Sequence, residues 1–348
     1  MLKKIKLENF RSHKKFELEL ERTNLIIGPN GAGKTNILEA FSVLSFCRSF
    51  RMDDKKNIIN MDSEYCRAVG DELEIFMSRY PRLILKAKIK GSPRKLSDFI
   101  GYLPAVVFSP ETVSIITGAP GDRRRFLDIM ISQVDKGYLV ALSNFKKIRQ
   151  QRNCLLQNIS KGLNSASELS FWDKEFCRES EIILKKRGES VNFLNEQMPQ
   201  IYQEISDDKK DILNLTYINN FEGDLMGCLE RGRARDIAYG GTISGPHRDD
   251  LGFILNTQNM ANFASRGELK SAILALKVSE LSYLEKNHNE ERGGGKPILL
   301  LDDIFSEFDP KRRDHLAKLI LKYQSVITTT ERGNVPEELL KSAKITEL

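Results

Sequence analysis

The sequence predicts an α/β fold interrupted by an inserted helical lobe, and three observations predict it. A glycine-rich stretch, Gly28-Pro29-Asn30-Gly31-Ala32-Gly33-Lys34-Thr35, joins a short apolar strand at 23–27 to an apolar helical pattern at 36–46. Near the other end of the chain a second apolar strand, residues 298–301, runs directly into Asp302-Asp303. Between them, from Asp122 to about Pro199, the apolar residues recur at helical spacing. Two halves of one α/β unit on either side of an inserted lobe account for that order.

The elements follow in turn. Ile5 and Leu7, then Phe16, Leu18 and Leu20 beyond the polar Arg11-Ser12-His13, alternate as the arms of a β-hairpin. Residues 64–90 read as two or three half-buried strands ending in Leu83-Ile84-Leu85-Lys86-Ala87-Lys88-Ile89, and 105–108 as a short buried strand, which together predict a β-rich flank. In the helical region one stripe runs through Leu139, Leu142, Phe145, Ile148, Leu155 and Ile159, and a second through Leu169, Trp172, Phe176, Ile183, Val191 and Leu194. The polar residues 161–167 between them form the tip, so the two helices make an antiparallel arm. Trp172 falls on the apolar stripe and is assigned to packing, not to base stacking. After Thr216 short strands return, followed by a helix near 268–286, a flexible loop at 290–295, the strand at 298–301, another helix and a final strand at 325–328. The expected division is 1–121, an inserted helical lobe at 122–235, and 236–348.

Composition narrows the class. The chain has 348 residues and is 40% hydrophobic, enough for one large core or two. Lys and Arg total 54 against 48 Asp and Glu, a net charge of +6 that favours a polyanionic partner only weakly. No apolar run approaches the roughly 20 residues of a membrane-spanning helix, and the opening MLKKIKLENF alternates too soon for a signal-peptide core, so a cytoplasmic protein is expected. The five cysteines are scattered without a CxxC pair, as apolar fillers in a reducing compartment would be.

Residues 28–35 match GxxxxGK[ST] in the strand-to-helix setting that the motif requires. Such a loop wraps backbone N–H groups around phosphate oxygens, and the helix start adds positive potential. Lys34 is placed on the outer phosphates of ATP and Thr35 on Mg²⁺. At the end of the second strand Asp302 is assigned to Mg²⁺ through water, and Asp303 to positioning or activating the attacking water. Lys34 and Asp303 are thus the catalytic assignments.

Further segments carry a resemblance. Asn9-Phe10-Arg11-Ser12, residues 28–35, Ser265-Arg266-Gly267-Glu268, Leu301-Asp302-Asp303 and Ser306-Glu307-Phe308-Asp309 look like the ordered motifs of ABC-type ATPase heads of the SMC kind. Phe108-Ser109-Pro110-Glu111, residues 121–128 (Gly-Asp-Arg-Arg-Arg-Phe-Leu-Asp) and residues 244–251 (Ser-Gly-Pro-His-Arg-Asp-Asp-Leu) resemble characteristic segments of the RecF family of bacterial recombination and repair proteins. The resemblance spans nearly the whole chain. It implies an ABC/SMC-type P-loop ATPase head with a β-rich flank and an inserted helical lobe, binding ATP and Mg²⁺ as an ATP-dependent homodimer. It further implies binding to double-stranded, gapped or junction DNA, and help in loading RecA-type filaments with RecO and RecR partners. Arg11 would then join the nucleotide site, Ser265 and Gly267 would form a signature motif on the γ-phosphate held by a second subunit, and Asp309 would be the D-loop residue beside it. Read alone, Ser265-Arg266-Gly267 is an ordinary helix cap.

Departures from the wider ABC pattern point to slow hydrolysis. Asp303 replaces the usual glutamate, Ser109 stands where a Q-loop glutamine is expected, and Thr328-Thr329-Thr330 takes the place of a switch histidine. Arg123-Arg124-Arg125 follow Asp122 at an expected helix start, where positive charge is unfavourable; DNA phosphate, nucleotide or an internal carboxylate would each relieve this. Lys146, Lys147, Arg149 and Arg152 read as a solvated face of the arm, with DNA contact the alternative. His247 with Asp249 and Asp250 reads as a turn held by side-chain hydrogen bonds in preference to a metal site. The rival functions are a transporter-type ATPase, and a DNA-binding scaffold whose ATP site is structural.

Overall fold

The structure, a computed structural model, describes residues 1–51, 55–288 and 295–348. The loop expected at 290–295 lies, but for Gly295, outside the described residues. Among them the strands are β1 (Lys4–Phe10), β2 (His13–Glu19), β3 (Thr23–Ile27), β4 (Tyr65–Gly70), β5 (Leu73–Ser78), β6 (Ile84–Ile89), β7 (Ser92–Arg94), β8 (Ala105–Phe108), β9 (Leu213–Ile218), β10 (Asp250–Leu255), β11 (Gln258–Asn259), β12 (Ile298–Asp302), β13 (Gln324–Thr329) and β14 (Lys344–Glu347). The longer helices are α1 (Lys34–Phe46), α2 (Pro120–Val134), α3 (Lys136–Ser160), α4 (Leu169–Ser206), α5 (Leu225–Tyr239), α6 (Arg266–Asn287) and α7 (Pro310–Ile320). They fall into two compact units: Met1–Val113, Glu204–Asp207 and Lys270–Leu348 form the first, Ser114–Gln203 and Asp208–Leu269 the second. The second unit runs beyond the 122–235 expected for the lobe and takes in a small sheet.

In the first unit a parallel sheet is ordered β14-β3-β13-β12-β8. Every residue of β12 and β13 is buried, as the aliphatic run Ile298-Leu299-Leu300-Leu301 requires of strands covered on both faces. The expected hairpin forms, with Lys4 opposite Glu19 and Phe10 opposite His13. It joins β4–β7 in a second, antiparallel sheet ordered β2-β1-β4-β5-β6-β7. Helix α1 touches β12 and β13 of one sheet and β4 and β5 of the other. That position explains why nearly its whole circumference is buried and why its apolar residues are not confined to one stripe.

The second unit is built on the expected arm. Tyr138 with Arg187, Asn144 with Glu179, and Arg152 with Asp173 pair in reverse order, so α3 and α4 run antiparallel. Ser165 and Glu168 close the tip with a reciprocal capping box. Trp172 packs with Leu155, Leu156 and Leu169, as its place on the stripe predicts. Two features depart from expectation. Helix α4 does not stop at Pro199 but continues to Ser206. Tertiary contacts outweigh the proline's lost donor: Asn195 exchanges hydrogen bonds with both N–H and C=O of Leu215, and Met198, Tyr202 and Ile205 beyond it are buried. Helix α5 lies where only short strands were expected. Its buried face offers little more than Leu225 and Leu229, and its legible signals are the caps, Asp224 accepting from Gly227 N–H and Gly240 in the left-handed region.

Arg152 corrects the reading of a solvated arm face. It is 0% exposed and donates to Asp173 (2.8 Å), Asp236 (2.8 Å) and Thr242 (2.8 Å), tying α3, α4 and α5 together. Lys146 and Lys147 are exposed and Arg149 is half-buried. Every third or fourth position of a helix returns to the same face, and a basic residue there is drawn inward when carboxylates await it. Arg152→Ala leaves Asp173 and Asp236 buried with their shared counter-charge removed, a loss of about 3–5 kcal/mol. Urea unfolding should show it as a large fall in midpoint, whereas Lys147→Ala should change stability by no more than about 0.5 kcal/mol.

Candidate nucleotide site

The end of β3 leads into a loop whose backbone needs glycine. Gly31 and Gly33 have φ of 85° and 93°, and a Cβ on Gly33 would lie 2.6 Å from Nε2 of His13. The loop leads into α1 without a capping side chain and with no acidic residue in the first turn. The leading amides are therefore left for an anion. Lys34 is buried, and its Nζ donates to the carbonyls of Gly28 (2.6 Å) and Pro29 (2.9 Å). An ammonium satisfied by carbonyls alone keeps its full charge for a phosphate.

Strand β13 lies between β3 and β12, so the loop and the acidic strand end emerge at one edge of the sheet. The Oδ1 of Asp302 accepts from Thr35 Oγ1 (2.9 Å) and from Thr328 Oγ1 (2.7 Å). Burial pushes the Asp302 carboxyl up, and those hydroxyl bonds act against it. Asp303 takes φ of 47°, its N–H donates to the Thr328 carbonyl (3.1 Å), and its Oδ1 is buried without a hydrogen-bond partner among the described residues. A hydroxyl beside a carboxylate, with glycine amides and a lysine next to them, is the donor set that a hard cation and a triphosphate need.

A cleft of about 310 Å³ collects these groups. It is lined by Asn30, Gly31, Gly33, Lys34 and Thr35 of the loop, with Asn36, by Asp302 and Asp303, and by Arg51, Pro110, Glu111 and Thr330. Arg51 and Glu111 were not singled out in the sequence. Arg51 follows α1 in no recognisable motif and reaches Asn36 (3.3 Å). Glu111 belongs to Phe108-Ser109-Pro110-Glu111, where Ser109 stands in the place of a Q-loop glutamine. Ser109 is buried, with its N–H on Thr112 Oγ1 at 2.9 Å. The three threonines divide likewise: Thr328 braces Asp302, Thr329 is buried, and Thr330 lines the cleft.

Other assigned residues lie off the cleft lining. Gly28 and Pro29 act through the carbonyls that hold Lys34, and Ala32 closes the loop through its N–H on the Pro29 carbonyl (3.3 Å). Arg11 does not line the cleft; its guanidinium meets the buried Glu39 of α1 through two bonds, at 2.8 and 2.5 Å. Ser265 caps α6, its Oγ accepting from Glu268 N–H (3.3 Å) while Glu268 accepts from Ser265 N–H (2.6 Å), and Gly267 sits in the first turn. Asp309 caps α7 by accepting from Arg312 N–H at 3.0 Å. Both Ser265 and Asp309 are exposed.

In the second unit the arginine run divides. Helix α2 starts at Pro120, so Asp122 lies inside its first turn and is not its cap. Arg123 is buried and paired with Asp250 (2.6 and 3.0 Å), which corrects its assignment as a DNA-binding residue: the internal carboxylate relieves its charge. Arg124 and Arg125 are half-buried, and Arg124 donates to the Asp249 carbonyl at 2.5 Å. His247 donates through Nε2 to the Thr242 carbonyl (2.9 Å), and burial holds its pKa down to about 4. Asp249 accepts from Tyr217 OH (2.6 Å) and Asn220 N–H (2.9 Å). Residues 244–249 thus form a turn held by side-chain hydrogen bonds and lead into β10.

Comparison with known proteins agrees with this architecture. The family described as RecF/RecN/SMC N terminal domain matches residues 1–347. A DNA replication and repair protein RecF from Lachnoclostridium phytofermentans is 33% identical over 95% of this chain and 92% of its own length. One from Bacillus cereus is 33% identical over 99% of this chain and 95% of its own. A solved structure of the recombination mediator protein RecF-ATP in the RecFOR pathway superposes with a TM-score of 0.86 at 32% identity, over 96% of this chain and 93% of that one. An Smc head domain from Pyrococcus furiosus, at a TM-score of 0.51 and 17% identity over 99% of this chain and 92% of that one, shares the fold. With a P-loop and an acidic strand end joined on one parallel sheet, and with full-length relatives at this identity, the chain belongs to the RecF family of SMC-type ATPase heads.

Proposed function

We propose that this chain is an ATP-dependent DNA-binding recombination mediator whose slow ATP hydrolysis acts as a release switch. The observation that carries the reading is the Thr35–Asp302 hydrogen bond at 2.9 Å inside the cleft, with Lys34 and the glycine amides beside it. Thr35 and Asp302 would hold Mg²⁺, which when bound supplies charge neutralisation to the phosphates. Lys34 holds the outer phosphates, and the carbonyls of Gly28 and Pro29 fix its position. Asp303, whose Oδ1 has no hydrogen-bond partner among the described residues, orients the attacking water. A relative with ATP in the RecFOR pathway supports ATP as the nucleotide, and RecO- and RecR-type proteins as partners.

Two copies would share two nucleotide sites, each with residues 28–35 of one chain facing Ser265 and Gly267 of the other and Asp309 nearby. The caps at Ser265 and Asp309 support this reading, because each presents an exposed helix start. Closure of the dimer would grip double-stranded, gapped or junction DNA, with Arg124 and Arg125 among the contacts, and hydrolysis would release it. Among the described residues no helix is long and apolar enough to cross a membrane. A cytoplasmic site of action suits a DNA-directed role.

Lys34→Ala removes charged hydrogen bonds to the nucleotide and should weaken ATP binding by roughly 10- to 150-fold, read by equilibrium titration. ATP-dependent DNA affinity should vanish with it; wild-type DNA binding indifferent to ATP would contradict the switch. Steady wild-type turnover that vanishes in this variant would exclude a purely structural ATP site.

Asp303→Asn keeps Thr35 and Asp302 in place, so ATP should still bind while single-turnover hydrolysis falls by roughly 10²–10⁴. Light scattering should then find the dimer persisting with ATP. A wild-type hydrolysis rate would remove Asp303 from the mechanism.

Ser265→Arg places a cation and a long side chain at the start of α6 and leaves residues 28–35 untouched. ATP binding by the monomer should survive and ATP-dependent dimerisation should fail. Loss of ATP binding in the monomer would mean that Ser265 serves its own chain's fold or site.

A further inference from the structure

The turn at residues 246–249 in the second unit is surrounded by guanidinium groups, and the carboxylates nearby do not match all of them. Arg187 donates to the Pro246 carbonyl (2.8 Å) and is neutralised by Asp128 at 2.8 Å. Arg123, on α2, is neutralised by Asp250. Three more arginines converge on the same turn. Arg124 holds the Asp249 carbonyl. Arg248 lies in the turn itself and is exposed. Arg149 stands one helical turn beyond Phe145 on α3, and the Phe145 ring lies 5.9 Å from the His247 ring, so helical spacing brings Arg149 to the same place. No salt bridge joins Arg124, Arg149 or Arg248 to a carboxylate among the described residues. Asp249 is hydrogen-bonded by Tyr217 and Asn220, and its charge is shared between Arg187 and Arg124.

Like charges held together cost free energy unless something answers them. The cost is visible here: burial and the neighbouring Arg187 lower the pKa of Arg124 although Asp250, Asp128 and Asp249 act against them, and burial and Arg248 lower that of Arg149. The neighbouring His247 is kept neutral by burial and by these same arginines, so no further cation is added to the turn. Guanidinium groups present planar, bidentate donors that suit phosphate oxygens.

We propose that Arg124, Arg149 and Arg248 form a phosphate-binding site on the second unit, separate from the nucleotide cleft. The favoured occupant is the backbone of duplex DNA, and that part rests on the DNA-binding reading above. The site moves the expected contact away from Arg123 and adds two residues, Arg149 and Arg248, that lie outside the arginine run.

The test uses the full chain with Arg149→Gln and Arg248→Gln combined, leaving Arg124 and its bond to the turn intact. Binding to a labelled duplex is measured with ATP across a salt series. The double variant should lose affinity about tenfold or more, and its salt slope should fall by roughly 2, since each phosphate contact contributes about 0.9. The paired Lys variant should keep the slope. A control with Lys174→Gln and Lys185→Gln, two exposed lysines of the same unit, should change both quantities less, and ATP binding should be unaltered throughout. Affinity and slope equal to the wild type, or no lower than in the lysine control, would overturn the site.

A second arm separates the site from the DNA reading. Inorganic pyrophosphate is titrated calorimetrically into chains that also carry Lys34→Ala, so that residues 28–35 contribute little. If the wild-type chain binds no duplex, but pyrophosphate binding is present and disappears with the two Gln substitutions, the DNA reading fails and the site stands for a free phosphate. If neither duplex nor pyrophosphate binds, the site is overturned as well.

Discussion

Strand β13 sits between β3 and β12, and the side chain of Thr328 at its end holds Asp302 in place. Everything at the cleft depends on this. Thr35 begins a helix that follows β3, and Asp302 ends β12 nearly the whole chain later, yet one hydrogen bond spans them because the parallel sheet aligns their strand ends. The same threonine also fixes Asp303, accepting its N–H at the carbonyl and holding the backbone in its left-handed turn. Burial raises the pKa of Asp302, and the hydroxyls of Thr328 and Thr35 and the charge of Arg51 act against it.

The second unit solves the opposite problem, with its charges mostly answered from within. Arg152 joins three helices through two aspartates, and Arg187 joins α4 to α2 through Asp128 and to the 246–249 turn through a carbonyl. Such buried pairs contribute little net stability, but they make alternative packings of the arm expensive, because any slip of α3 against α4 would strand a charge. The arginines at the turn outnumber the carboxylates beside them, five against Asp128, Asp249 and Asp250.

How much of this was legible depended on whether the signal was local. The loop at residues 28–35 was, because its glycines, lysine and threonine meet the phosphate from consecutive backbone positions, and so was the strand entering Asp302-Asp303. The arm was legible from its two apolar stripes. Helix α5 was not, since its buried face is narrow and only the caps at Asp224 and Gly240 mark it. Arg51 and Glu111 escaped notice because each reaches the cleft from a separate loop, with no spacing to connect it to the others. Arg152 looked like surface charge, and the partner of Arg123 was left open among DNA phosphate, nucleotide and a carboxylate, because Asp173, Asp236 and Asp250 are distant in sequence.

By itself the sequence determined the local chemistry: which backbone can curl around a phosphate, which helices form an arm, and where a carboxylate pair leaves a buried strand. Tertiary structure alone decided which charges are free to act. Arg123, Arg124 and Arg125 are identical as residues and adjacent on one helix, but a rotation of 100° per residue turns Arg123 inward onto Asp250 and leaves its neighbours half-exposed. Thr328 and Thr330 differ in the same way, one buried under Asp302 and one on the cleft. An ionic or hydroxyl group takes its role from the partner that packing brings within about 3 Å, and that partner is set by the fold, not by the neighbouring residues in the chain.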